Sequence, residues 1–346
     1  MKKEILIITL TITLTVFLTG FISAATLNVD NTVACSDVTG TPYCTIQAAI
    51  DAAVSGDTIA VLAGTYSPAI STRSECGNAP ASICLYKNLI LRGNPGNASA
   101  GPGPNAPVLN GSGLGYGSAI ALQRNGSLIS DVIIEGFEIR NYANPIFQGG
   151  VGSAIISWDT ATSNITIQNN YLHDLGWNGI LVGSDDGTTQ SNWKIQRNII
   201  ADAAYAGVEL TNNLNSQVLN NIINVSNGNW DVGDSGVGIE VAVRDHGTGV
   251  TAGTNVLVEG NILNKGSLGR ASINLLSRAY TDPASSVLQS VTIRNNTFKG
   301  ASRGILVTSE SRLDGDADIS GVLITKNTLD SNKDGIVLHD FIKTGS

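Results

Sequence analysis

The stretch Ile165-Thr166-Ile167-Gln168-Asn169-Asn170-Tyr171-Leu172, followed by Gly179-Ile180-Leu181-Val182, decides the fold because it recurs. It returns at Trp193 to Ile200 with Gly207-Val208-Glu209-Leu210, and at Val218 to Ile223 with Gly238-Ile239-Glu240-Val241. Further copies run from Val256 to Leu263 with Ile273-Asn274-Leu275, from Val291 to Phe298 with Gly304-Ile305-Leu306-Val307, and from Val322 to Leu329 with Gly335-Ile336-Val337-Leu338. One apolar position aligns as Ile167, Ile195, Val218, Val258, Ile293 and Ile324, in steps of 23 to 40 residues, the spacing of solenoids and propellers. Alternating Val and Ile with few charges marks short strands buried on one face. A helical solenoid would need apolar residues at three-and-four spacing over about ten positions, which no copy has. Each copy therefore reads as one coil of an all-β parallel β-helix.

One Asn follows the first strand of every copy: Asn170, Asn198, Asn221, Asn261, Asn296 and Asn327. Asn tolerates a left-handed backbone at a tight corner, and its amide can bond to the same amide one coil away. The series is predicted as an internal ladder, a structural device rather than a site.

Residues 1–25 carry Lys2 and Lys3, an apolar run from Ile5 to Ile22, and Ser23-Ala24-Ala25, the order of a secretory signal peptide. The chain has net charge −8, and losing that segment makes it one unit more negative, which disfavours nucleic acid as a partner. Once the segment is cleaved, no membrane association is expected; the mature protein is predicted to be a monomer, secreted or at the cell surface. Four cysteines form two local pairs, Cys35 with Cys44 and Cys76 with Cys84. Sequence alone allows three connectivities, and pairing within each local pair is the expectation for an exported protein. Residues 26–346 read as a single domain, with the final coil lacking any capping element.

The segment Tyr43-Cys44-Thr45-Ile46-Gln47-Ala48-Ala49-Ile50-Asp51-Ala52-Ala53, then Gly56-Asp57-Thr58-Ile59 and Gly64-Thr65-Tyr66, resembles the entry of right-handed parallel β-helix proteins of the pectin-lyase-like superfamily. Ile46, Ala49, Ile50 and Ala53 share one face of a short helix over 45–54, which would cover the open end of the coil stack. The resemblance runs through the repeats and implies a right-handed solenoid and a polysaccharide partner, an acidic one in the lyase reading. It implies no single activity, since lyases, glycoside hydrolases, epimerases and non-catalytic surface proteins share the fold.

In each Gly-Ile-x-Val strand the middle residue points outward. The outward column is predicted as Ile155, Leu181, Glu209, Glu240, Asn274, Leu306 and Val337, with a parallel column Asp159, Asp185, Asn213, Arg244, Arg278 and Glu310. Two carboxylates on adjacent coils need a positive charge between them. Glu209, Glu240 and Asn274 offer hard oxygen ligands for Ca2+. In superfamily lyases calcium acidifies the proton beside a uronate carboxylate and Arg or Lys is the base; carried over by position, Arg244 is the expected base and Arg278 a clamp on the substrate carboxylate. Trp177, Tyr205 and Trp230 are candidate stacking platforms for sugar rings, and Lys265 and Arg270 candidate contacts to an acidic polymer.

The leading expectation is calcium-assisted β-elimination of an acidic glycan. The longer local motifs of lyases, polygalacturonases and mannuronan epimerases are absent from the sequence. A non-catalytic surface or adhesion solenoid is therefore the alternative, with Glu209, Glu240, Arg244 and Arg278 as a solvated strip of weak cross-coil pairs. A glycoside hydrolase using two carboxylates one coil apart is the third reading.

Overall fold

The computed structural model describes residues 24–343 apart from 33, 39–41, 72, 75–78, 97–99, 124–126, 145–149, 186–187, 189, 226–235, 246–250, 266–269, 281–284, 313–315 and 331. The expected signal segment, Trp230 and Cys76 thus fall outside the described residues, apart from Ala24 and Ala25.

Three parallel sheets wrap one apolar core. The first begins at Thr26–Val29 and ends with Asp316–Ser320 and Leu323–Thr325, the second runs from Thr65–Tyr66 to Thr328–Asp330, and the third from Ala81–Leu85 to Asp334–Lys343. The chain visits the sheets in turn, so each strand pairs with its counterpart one coil away. The aligned apolar series is the register of the first sheet: Ile167 pairs with Ile195, Ile195 with Val218, Val218 with Val258, Val258 with Ile293, and Ile293 with Ile324. The main buried cluster extends from Val29 to Ile305, and a smaller one holds Ala79, Ala81, Ala121, Ile156 and Leu181. This is a right-handed parallel β-helix. Among the described residues, no helix is long and apolar enough to cross a membrane.

The corner between the first and second sheets corrects one expectation. The left-handed residue is the one before the ladder Asn: Asn169 (φ 56°), Arg197 (54°), Asn220 (55°), Gly260 (69°), Asn295 (56°) and Lys326 (54°). That residue makes the turn and lets the next side chain point inward. Asn170 Nδ2 donates to Asn198 Oδ1 (3.0 Å), Asn198 to Asn221 (3.1 Å), Asn221 to Asn261, Asn261 to Asn296, and Asn296 to Asn327 (3.0 Å each). Each ladder Asn also donates to a carbonyl of the preceding coil, as Asn198 does to Ile167 (3.0 Å), so no buried amide polar group is wasted.

The short helix α1 (Ile46–Ala52) lies over the first coil with Ile46, Ala49 and Ile50 buried, as their spacing predicts. Thr45 caps its start, and Lys87 Nζ binds the carbonyls of Ile50, Asp51 and Ala53 at its end (2.8 to 2.9 Å). Cys35 and Cys44 are bonded to each other, and Cys84 is also in a disulfide. At the opposite end the inward residues of the final strand stand in solvent, Ile336 50% and Leu338 78% exposed.

Candidate functional site

The third sheet carries the outward column, and its register places Ala121, Ile156, Leu181, Glu209, Glu240, Asn274, Leu306 and Val337 side by side. Ile155 is not a member, because it faces the core; the alignment slipped by one residue there, which moves a strand residue to the opposite face. Arg244, Arg278 and Glu310 align as expected in the second column. Asn213 does not, because Asn212 turns left-handed (φ 54°) and ends the strand. Asn213 then pairs with Gln190 in the first sheet. Asn212 holds that corner by accepting from Arg244 N and donating to Arg244 O (2.9 Å each).

The middle of the outward column is buried. Glu209 is 2% exposed, while Glu240 and Asn274 are fully buried, so the expected solvated strip is instead a buried polar cluster. Arg244 binds both carboxylates, through Nη1 to Glu209 Oε1 (3.1 Å) and through Nη2 to Glu240 Oε1. Asn178 Nδ2 donates to Glu209 Oε2 and Asn274 Nδ2 to Glu240 Oε2 (2.8 Å each), and Thr211 donates to Glu209 Oε1 (3.1 Å). All four carboxylate oxygens thus accept protein hydrogen bonds.

This arrangement decides what the cluster can do. Burial pushes the Glu240 carboxyl upward against the opposing pull of Arg244, and the neighbouring Glu209 adds to the rise. Burial would lower Arg244, but Glu209 and Glu240 outweigh it and hold the guanidinium well above its usual range. A guanidinium so held is ill suited to accept a proton as a base. The positive charge that two adjacent carboxylates require is supplied by Arg244 itself, and a Ca2+ ion between Glu209 and Glu240 would have to displace it. As arranged, with their oxygens turned to Arg244 and the neighbouring amides, Glu209 and Glu240 do not fit that ion, and of the three expected ligands only Asn274 keeps an oxygen, Oδ1, without a hydrogen-bond partner. Arg278 sits further along the sheet, committed to Glu310 (Nε to Oε2, 2.6 Å) and to Tyr280 OH (3.2 Å), with its charge over the Tyr280 ring.

Beside Arg244 the surface opens into a cleft of about 210 Å³. Trp177 and Tyr205 stack face to face in its wall, centroids 4.9 Å apart and planes within 1°. Trp158 and Leu181 complete the apolar lining, and Asp185, Glu209 and Arg244 form the polar part. Tyr205 OH lies 3.4 Å from Arg244 Nη2, and burial, then Glu240, raises its phenol well above the ordinary range. The structure thus brings Trp177 and Tyr205 together with Glu209, Glu240 and Arg244. Arg270 is half-buried, with its charge near Arg278, Tyr205 and Glu310. Lys265 ends a strand of the second sheet, paired with Val225, and does not enter the third.

Trp158 and Asn178 were missed by sequence reasoning. Gly183 gave a signal for Trp158: a Cβ at that position, next to Trp158 in the register, would collide with the indole.

The family described as Right handed beta helix region matches residues 153–341. Among solved structures, a tailspike protein of an E. coli bacteriophage in complex with a pentasaccharide has a TM-score of 0.51 at 15% identity, covering 90% of this chain and 57% of that one. A polygalacturonase from Erwinia carotovora ssp. carotovora has 0.44 at 13% identity, over 89% and 94% of the two chains. A surface adhesin of Streptococcus pneumoniae has 0.43 at 16%, over 85% and 88%. Identities this low speak to the fold alone. No curated protein matches the sequence.

Proposed function

The chain belongs to the right-handed β-helix family, and on that premise we propose that it binds a saccharide in the cleft beside Trp177 and Tyr205. One observation carries the reading: a stacked Trp177–Tyr205 pair and a charged, hydrogen-bonding end line a single small cleft. Aromatic faces cover the apolar C–H side of a sugar ring, and a few fixed polar groups select its hydroxyls. Export, expected from residues 1–25, would put this cleft at the cell surface or outside it, where glycans are met. The pentasaccharide held by the tailspike illustrates what a coil stack of this kind can accommodate.

Binding without turnover is the reading the geometry favours. Calcium-assisted elimination would need a cation between Glu209 and Glu240 and a base free to take a proton, yet Arg244 occupies the first place and is held protonated. Hydrolysis by the expected pair of adjacent-coil carboxylates would need both Glu209 and Glu240 at the ligand, and Glu240 is fully buried. Calorimetric titration of the folded chain with a panel of oligosaccharides tests the proposal, with ultraviolet absorbance of an unsaturated product followed in calcium and in chelator. Expected is saturable binding that weakens about tenfold or more in Trp177→Ala, in a variant that still unfolds in one cooperative transition above the assay temperature. Unsaturated product would replace binding with elimination, and silence across the panel would overturn the saccharide reading itself.

A further inference from the structure

Resting on the saccharide reading, we infer that the cleft takes an uncharged sugar ring and rejects a uronate. Among the described residues, Arg244 is the one cation that lines it. Its two terminal nitrogens are committed to carboxylates, Nη1 to Glu209 (3.1 Å) and Nη2 to Glu240, and its remaining nitrogen, Nε, has no hydrogen-bond partner but is buried away from the cleft's solvent. Recognition of a carboxylate by Arg depends on two parallel N–H groups offered together, and here that fork faces protein acids. The other charged lining groups are Asp185 and Glu209, both acids. Among the described lining residues, a uronate carboxylate entering the cleft would therefore meet two acids and a single cation whose terminal nitrogens are already committed.

Nearby cations do not change the balance. Arg278 is paired with Glu310 (2.6 Å), and Arg270, whose charge is near Arg278, Tyr205 and Glu310, is not one of the residues that line the cleft. The walls favour the same ligand, since Trp158, Trp177, Tyr205 and Leu181 offer apolar area to the C–H face of a neutral ring. The acidic polymer expected for a calcium-dependent lyase is thus replaced by a neutral one.

The test compares matched-length neutral oligomers (xylo-, gluco- and galacto-oligosaccharides) with oligogalacturonate and oligoalginate, by calorimetry on the full folded chain at low and at physiological salt. A neutral oligomer is expected to bind at least about tenfold tighter than either uronide, and uronide binding is expected to strengthen with salt as like-charge repulsion is screened. Glu209→Gln, which removes one acid from the lining and frees one side of Arg244, is expected to raise uronide affinity severalfold. If that variant does not fold, Asp185→Asn at the same cleft is expected to move uronide affinity in the same direction. Tighter binding of a uronide, lost in Trp177→Ala, would overturn the charge inference and leave the saccharide reading standing. Binding of neither class would bring down both.

Discussion

Arg244 Nη1 lies 3.1 Å from Glu209 Oε1, a contact that reaches back one full coil from the strand Val237–Asp245 to the strand Ala206–Thr211. The same guanidinium binds Glu240 on its own strand, so one cation joins two adjacent rungs of the third sheet. Taking three charges out of water is unfavourable, and the arrangement holds because each carboxylate is also bonded by an amide, Asn178 or Asn274.

Removing the cation should therefore be far worse than removing one acid. Arg244→Met leaves Glu209 and Glu240 buried together without a counter-charge, and a loss of about 3 to 5 kcal/mol in denaturant unfolding is expected. Glu240→Gln keeps the shape and leaves Arg244 with Glu209. It is expected to lie within about 1 kcal/mol of the parent at neutral pH. Equal losses in the two variants would show that the cluster is not held by charge.

The pH dependence of the same pair has a definite sign. The Glu240 carboxyl titrates higher in the folded protein than in the unfolded chain because it is buried. Its contribution to stability is then fully present below the unfolded carboxylate value and is lost as pH rises through the elevated folded value. Between those two values, the stability of Glu240→Gln relative to the parent should climb with pH and then level off. Denaturant unfolding of both proteins at a series of pH values checks this; a difference that falls with rising pH would contradict the burial argument.

The coil stack was legible because it is periodic: the series Ile167, Ile195, Val218, Val258, Ile293, Ile324 is the register of a sheet, and the six Asn are its ladder. The site was legible only as a column. That Glu209 and Glu240 share one face followed from strand alternation, but their burial did not, since it depends on what packs over the outer face. Trp177 and Tyr205, which line the cleft beside the cluster, sit between strands, where no period constrains the chain. Asn213 was misplaced for a related reason, because the strand ends at a left-handed Asn212 that spacing does not reveal.

The ladder should fail locally when one rung is removed. Asn221 Oδ1 accepts from the backbone (2.9 Å) and side chain (3.1 Å) of Asn198, and its Nδ2 donates to Asn261 Oδ1 and Ile195 O (3.0 Å each). Asn221→Ala orphans several fully buried groups at once, and about 3 kcal/mol of lost stability is expected. Asn327→Ala, at a half-buried rung, should cost clearly less because water can replace the missing partners. Similar losses at both positions would mean that burial does not set the ladder's contribution.

The glycine that opens the third-sheet strand is a packing requirement in the middle of the stack. A Cβ on Gly207 would lie 2.7 Å from the carbonyl oxygen of Gly238 one coil on, and 2.5 Å from Ile223 Cγ2. The first contact is main chain and cannot give without moving the coil, so Gly207→Ala is expected to cost about 1 to 3 kcal/mol. Gly335 occupies the same place in the final coil, where an added Cβ would meet nothing nearer than Leu329 Cδ2 at 3.8 Å. Gly335→Ala should be neutral or slightly stabilising, because it removes backbone freedom from the unfolded chain without a clash. Thermal unfolding of the two variants decides the matter: a lowered midpoint in Gly207→Ala alone supports the close approach of adjacent coils, and equal effects would refute it.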